Sequence, residues 1–322
     1  MGGDEGGPPG QAGPNAGKAP TGTPPTYLLQ SLALLASRGG RPLEARAWFE
    51  KAVEVDDDQP GVWESWGSME ARLGNREAAR EYFQNALQGS TSRYAWLSWG
   101  RWETRWGELQ KGRDLLRIAH RRYPADTPIM QALALSEAKL GKAPEARRLF
   151  RRATRQDPLH LPSWQAWGVL EWQRGETERA RELFQQGVWA SPQSRGVVAI
   201  FKAWGDLEQS EGDVETARAL YECALQVDGR SRRTWHALAE LEEGEGNLTR
   251  AEEFRLLAVT DDGGMAPSQS LRLLEQAGSA RSSLGNVVLD FVERWRQAFD
   301  EAPRPNHPPL GLSGDPFAPA TR

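Results

Sequence analysis

The sequence predicts an all-α fold, a right-handed α-solenoid of about seven helix-pair repeats with a C-terminal capping helix, and three observations predict it. A Glu that precedes a Gly by four residues recurs as Glu70, Glu103, Glu137, Glu171, Glu208 and Glu242, at intervals of 33, 34, 34, 37 and 34 residues. A fixed period of this size marks a repeat architecture. Large apolar residues stand seven and four positions before each Glu, such as Trp63 and Trp66 or Trp164 and Trp167, and a spacing of 3, 4 and 7 is one face of a helix. After the Gly comes a second periodic run, Ala79, Phe83 and Ala86 in one repeat and Ala180, Phe184 and Gly187 in another. Small residues around one large ring let two helices approach closely.

Taken in order, residues 1–25 are Gly- and Pro-rich and are expected to be disordered. The first repeat, 27–58, keeps the phase through Leu29, Leu32, Gly40, Ala45, Phe49 and Ala52 but lacks the Trp and Glu, as an end of the array, or an incomplete array, would. Repeats 60–92 and 93–126 carry Trp63 with Trp66 and Trp96 with Trp99; the latter places Gly112 and Leu116 where its neighbours have Ala and a ring. Repeat 127–160 has Met130 and Leu133 at the Trp positions, and 161–194 restores both Trp. Repeat 197–230 uses Phe201 and Trp204, and 231–260 uses Trp235 and Leu238. Pro124, Pro158 and Pro192 fall at one phase and end their second helices. The array thus covers 27–260. Leu284, Val288, Phe291 and Trp295 share a face within capping helices at 268–300, and 302–322 is a second disordered tail.

Composition narrows the function classes. The single cysteine, Cys223, excludes a disulfide framework and a multi-cysteine metal site and suits a reducing compartment. No run approaches the roughly 20 apolar residues that span a bilayer, so no membrane span is expected. The N-terminus has neither a signal peptide nor an Arg- and Ser-rich transit peptide, which reads as no import or as a start further upstream. His120, His160, His236 and His307 have no ligand spacing with Cys223 or one another, so no metal or cofactor is expected. Gly17-Lys18 is half a phosphate-binding loop, without its Ser/Thr and outside a strand-to-helix context. The repeated Glu stack at even intervals instead of facing each other across a substrate as paired acids do, which points to a structural role. An enzyme with a small-molecule substrate is not expected.

The net charge of −4 conceals a division. Residues 93–155 hold 15 Lys/Arg against 6 Asp/Glu, whereas 206–262 hold 6 against 15. The middle of the chain attracts polyanions and the C-terminal third repels them.

The repeat pattern of Trp or Leu at the first and fourth positions, Gly or Ala next, then Gly, Ala, Phe/Tyr, Ala and Pro resembles the tetratricopeptide repeat. Glu in the first helix with a doubled Trp resembles its half-a-tetratricopeptide (HAT) variant in RNA-processing proteins. Trp164-Gln165-Ala166-Trp167-Gly168-Val169-Leu170-Glu171 and Ala203-Trp204-Gly205-Asp206-Leu207-Glu208 are most similar to the chloroplast HAT proteins of plants and green algae. The resemblance implies stabilisation and processing of photosystem II (psbB-type) mRNA in the chloroplast stroma, with nucleus or cytoplasm as the other compartments. It implies no enzymatic activity, and as partners single-stranded RNA, other HAT or tetratricopeptide proteins, or a multi-subunit RNA-processing complex.

On a helical wheel the positions two before and two after the Glu lie opposite the buried face. They read Ser68, Arg101, Leu135, Val169, Asp206, Glu240 and Arg72, Arg105, Lys139, Gln173, Ser210, Gly244. The RNA-binding candidates are therefore Arg72, Arg101, Arg105 and Lys139 for phosphates, with Arg174 beside the strip and Trp172 as a surface for base stacking. An ordinary solvated face has the same composition. The partner-binding candidates at the acidic end are Asp206, Glu240 and Glu243.

Overall fold

The computed structural model describes residues 25–88, 92–192 and 194–259, which contain fourteen α-helices and no strand. The expected disordered termini and the capping helices at 268–300 lie outside the described residues. The chain divides into two compact units, one through Trp102 and one from Glu103. The first holds α1 (Thr26–Arg38), α2 (Pro42–Val55), α3 (Pro60–Leu73), α4 (Arg76–Leu87) and most of α5 (Arg93–Trp106). The second holds the end of α5 with α6 (Leu109–Arg122), α7 (Thr127–Lys139), α8 (Ala143–Gln156), α9 (Leu161–Gln173), α10 (Thr177–Ala190), α11 (Val197–Glu211), α12 (Val214–Val227), α13 (Arg232–Gly244) and α14 (Leu248–Val259). The packing is that of an array of helix pairs, the all-α solenoid class, with α1 on α2, α3 on α4, α7 on α8, α9 on α10, α11 on α12 and α13 on α14.

The interval of four between Glu and Gly has a backbone cause. Gly74, Gly141, Gly175, Gly212 and Gly246 take positive φ just after the first helix of a repeat. The next N–H, on Asn75, Lys142, Glu176, Asp213 or Asn247, then bonds back to the carbonyl of the signature Glu at 2.9–3.0 Å. This is the Schellman stop, in which a left-handed residue satisfies the orphan carbonyls of the last turn. Gly107 is the exception: the Glu108 N–H is accepted at 2.9 Å by the Glu103 carboxylate instead, and a Cβ on Gly107 would lie 1.9 Å from that oxygen.

Side chains join the helices of a pair and tie several repeats to the next. Ala45, Ala79, Ala146, Ala180 and Ala217 are fully buried, so the second helix can lie against the first at close range. The ring four residues on fills the remaining space: a Cβ on Gly168 would come within 2.4 Å of Phe184, and one on Gly205 within 2.5 Å of Tyr221. Those rings also reach the following repeat. Phe49 stacks on Trp66, Phe83 on Trp99, Phe150 on Trp167 and Phe184 on Trp204, with centroids 5.6–6.5 Å apart. Among the described residues Trp66, Trp99, Trp102, Trp167, Trp204 and Trp235 are accordingly buried, whereas Trp106 and Trp189 are exposed.

Candidate functional site

The signature glutamates are the most deeply placed charges among the described residues, between 0 and 7% exposed in the six repeats that carry them. A buried carboxylate requires partners, since desolvation of an unpaired charge is severely unfavourable. Three kinds of donor provide them. The Trp one turn earlier donates its indole N–H, Trp66 to Glu70 at 3.3 Å, Trp167 to Glu171 at 2.7 Å and Trp204 to Glu208 at 2.8 Å. An Arg from the second helix of the preceding repeat donates as well. Arg46 grips Glu70 with two bonds at 2.8 and 2.9 Å, Arg181 grips Glu208 at 2.8 and 2.5 Å, and Arg218 reaches Glu242 at 2.7 Å. Arg147 binds both oxygens of Glu171 through Nε and adds an Nη2 contact. Asn75 and Asn247 complete the shell of Glu70 and Glu242 from the turn, at 2.6 and 2.8 Å.

These contacts shift the ionisation of Glu70 and Glu242. The Arg46 hydrogen bond, opposed by burial and assisted by Asn75, holds Glu70 below the usual carboxylate range. Burial acts to raise Glu242, but Arg218, Asn247 and the positive field of Arg250 outweigh it and hold that group low as well. Glu70, Glu171, Glu208 and Glu242 are therefore occupied inter-helix anchors. The arginines of this lattice are a pairing that reading helix faces singly passes over. Their signal is present all the same: each follows the small residue of the second helix, Ala45, Ala146, Ala180 or Ala217, and precedes its Glu by 24 to 27 residues.

With the acids turned inward, the positions two after them face solvent, while Ser68, Leu135, Val169 and Asp206, two before them, are half-buried. In the first unit Arg72 and Arg101 are exposed, and Arg72 donates to the Ser37 hydroxyl at 3.1 Å. In the second unit Arg105, Lys139 and Arg174 are exposed. Lys139 reaches the Thr104 carbonyl at 3.1 Å, and the Arg105 guanidinium lies 4.9 Å from the ring centroid of Trp106. Arg72 and Lys139 each reach back 35 residues to the preceding first helix, which uses one of the several N–H groups each carries. Trp172 is half-buried against the apolar cluster around Leu161, Phe184 and Ile200, so much of its ring is engaged in packing.

At the acidic end the three candidates differ. Asp206 is half-buried, accepts from Lys202 at 2.7 and 2.9 Å and from the Tyr221 hydroxyl at 2.8 Å, and so is largely committed internally. Glu243 is exposed but paired with Arg255. Glu240 is exposed and makes no hydrogen bond or ion pair among the described residues. Among those residues no His, Cys, Asp and Glu gather as a metal site, and no helix is long and apolar enough to cross a membrane.

Comparison with known proteins agrees with this geometry. Residues 27–59 and 132–195 match the tetratricopeptide repeat family, so the chain carries repeats of tetratricopeptide type. A stretch of 71 residues is 40% identical to the chloroplastic PsbB mRNA maturation factor Mbb1 of Chlamydomonas reinhardtii, covering 21% of this chain and 11% of that protein. Yeast Tom70 shares the fold at a TM-score of 0.61 and 16% identity, over 85% of this chain and 56% of that one. A tetratricopeptide repeat protein of Parabacteroides merdae does so at 0.55 and 14%, over 78% and 98%.

Proposed function

We propose that this chain is a non-catalytic scaffold that binds single-stranded RNA and acts in the maturation and stabilisation of chloroplast transcripts of photosystem II. The observation that carries the reading is the segregation of charge on the first helices. The repeated acids are buried, and Glu70, Glu171, Glu208 and Glu242 are paired with arginines of the preceding second helix, while Arg105, Lys139 and Arg174, like Arg72 and Arg101 in the first unit, stay exposed without a carboxylate partner among the described residues. Such cations are open to phosphate oxygens, and each phosphate neutralised releases counterions. The match to an mRNA maturation factor gives the direction, although the matched stretch is a small part of that protein. In this reading the bound protein blocks exonucleases at a transcript 5′ end, or opens a ribosome-binding region for translation.

Affinity for single-stranded RNA is expected to fall steeply with salt, with a log–log slope of about 0.7 per phosphate contacted. The pair Arg105→Glu and Lys139→Glu should lower affinity at least tenfold, and unchanged binding would remove these residues from the contact surface. A second reading, a protein-interaction scaffold within an RNA-processing complex, is favoured by the exposed acids Glu240, Glu243 and Glu245 on and after α13. A gel shift separates the two: the first expects purified protein to shift RNA alone, the second only together with a basic partner.

A further inference from the structure

Two second helices differ from the other five. α6 and α8 together carry ten Lys/Arg against two Asp/Glu, whereas α2, α4, α10, α12 and α14 each hold at least as many acids as cations. The outward side of a second helix in this fold therefore has no need of net positive charge. On α8, Arg148, Arg151, Arg152 and Arg155 recur at intervals of 3, 4 and 7, directly opposite the buried Ala146, Phe150 and Ala153. On α6, Arg117 and Arg121 lie one turn apart, away from the buried Leu116 and Ala119. The helices meet at the α6–α7 connection, where Arg152 and Gln156 donate to the carbonyls of Pro124 and Ala125 at 3.1 and 2.8 Å.

All six arginines are exposed, and the guanidinium groups of Arg117, Arg121, Arg148, Arg151 and Arg155 make no hydrogen bond or ion pair among the described residues. Like charges at i and i+4 repel. Favourable placement against the helix dipole accounts for Arg121 and Arg155 in the last turns but not for Arg117, Arg148 or Arg151. The positive field extends inward too: burial first, then Arg152, lowers the pKa of His120 in this seam.

We infer that the outward face of α6 and α8 is a second RNA contact, in which these guanidinium groups hold phosphates of a strand on the side of the repeats opposite Arg105 and Lys139. Arg suits this role because its planar fork can give two parallel hydrogen bonds to one phosphate. The inference rests on the proposal that the chain binds RNA, and it adds a surface that proposal does not use.

The test compares three full-length proteins for binding to a labelled single-stranded RNA across a salt series: the natural chain, Arg148→Gln/Arg151→Gln/Arg155→Gln, and Arg105→Glu/Lys139→Glu. Arg152 is left in place because it ties α8 to Pro124. The triple Gln variant should bind at least tenfold more weakly, with a salt slope shallower by about 2, three phosphates at about 0.7 each. Lys at the same three positions should restore the slope, which a folding defect would not allow. If the triple variant binds like the natural chain while the Arg105/Lys139 variant is weakened, this face is not a contact and the first-helix reading stands. The reverse pattern supports this face and removes the first-helix residues. If the natural chain binds no RNA, both fall. Displacement of RNA by polyglutamate as effectively as by polyuridylate would assign the face to an acidic protein and overturn the inference.

Discussion

Glu137 and Glu171 occupy the same place in consecutive repeats and are both buried, yet they are held very differently. Glu171 accepts the Trp167 indole N–H, is gripped by Arg147, and has Arg179 at 3.6 Å. Glu137 has Leu133 at the Trp position, one cation at 3.9 Å in Lys142, and an oxygen without a hydrogen-bond partner. The residue that should grip it, Arg113, stands at the same 24-residue spacing but turns to Asp114 at 2.7 Å. The repeat built on Glu137 is nonetheless well packed, with Ile129, Met130, Ala132, Leu133 and Ala134 buried. Apolar packing and the Schellman turn therefore suffice to form a helix pair. The ion pair adds a specific joint between one repeat and the next.

The largest expected effect tests that contrast. Glu171→Ala leaves Arg147 and the Trp167 N–H without their partner and should cost about 3–5 kcal/mol, the usual result of removing half of a buried pair. Glu137→Ala removes far weaker contacts and should cost about 1 kcal/mol. Repeat arrays need not unfold in one step, so the measurement is hydrogen exchange of α9 against α7 amides; equal losses would refute the contrast. Next, Gly168→Ala drives a Cβ into Phe184 and should cost about 1–3 kcal/mol by overpacking. The repeat built on Glu137 already has Ala134 at the corresponding position, so Ala134→Gly should cost only about 0.5–1 kcal/mol, the helix penalty of glycine, when thermal unfolding of the two variants is compared.

A smaller change sharpens the comparison from the other side. Asp114→Ala releases Arg113 to turn towards Glu137, and a new charge-assisted bond there should stabilise α7 by about 1 kcal/mol in the same exchange experiment. Acid provides the most gradual effect. Glu70 and Glu242 have folded pKa values below the ordinary value of about 4.3. Their contribution is thus complete above that pH and is lost as the pH falls through the folded values. Helix content followed by circular dichroism should hold to about pH 5 and decline below about pH 4, and in Glu70→Gln that decline should be shallower.

The helix pairs were legible because burial follows a strict phase: the second Trp or Leu, the small residue of the second helix and the ring after it all point inward. The column two after Glu was legible for the same reason, as the exposed Arg72, Arg105 and Lys139 illustrate, whereas Leu135 and Val169 of the other column pack against neighbouring helices. Trp172 and Asp206 were less so, since a neighbouring helix covers part of the Trp172 ring and Tyr221 and Lys202 take up the Asp206 carboxylate. The arginine partners of the glutamates escaped notice because each pair joins different repeats, and helical periodicity describes one face of one helix at a time.

What the amino-acid sequence determined by itself is the period, the helix stops and which side of each helix is apolar, because these depend on local backbone preference and on burial common to every repeat. What the tertiary structure alone decided is which partner each charge takes. Arg113 and Arg147 have the same spacing to their glutamates, yet only Arg147 makes the inter-repeat joint. Pairing is a competition among the groups within reach, and here a neighbouring aspartate and a missing indole N–H tip it.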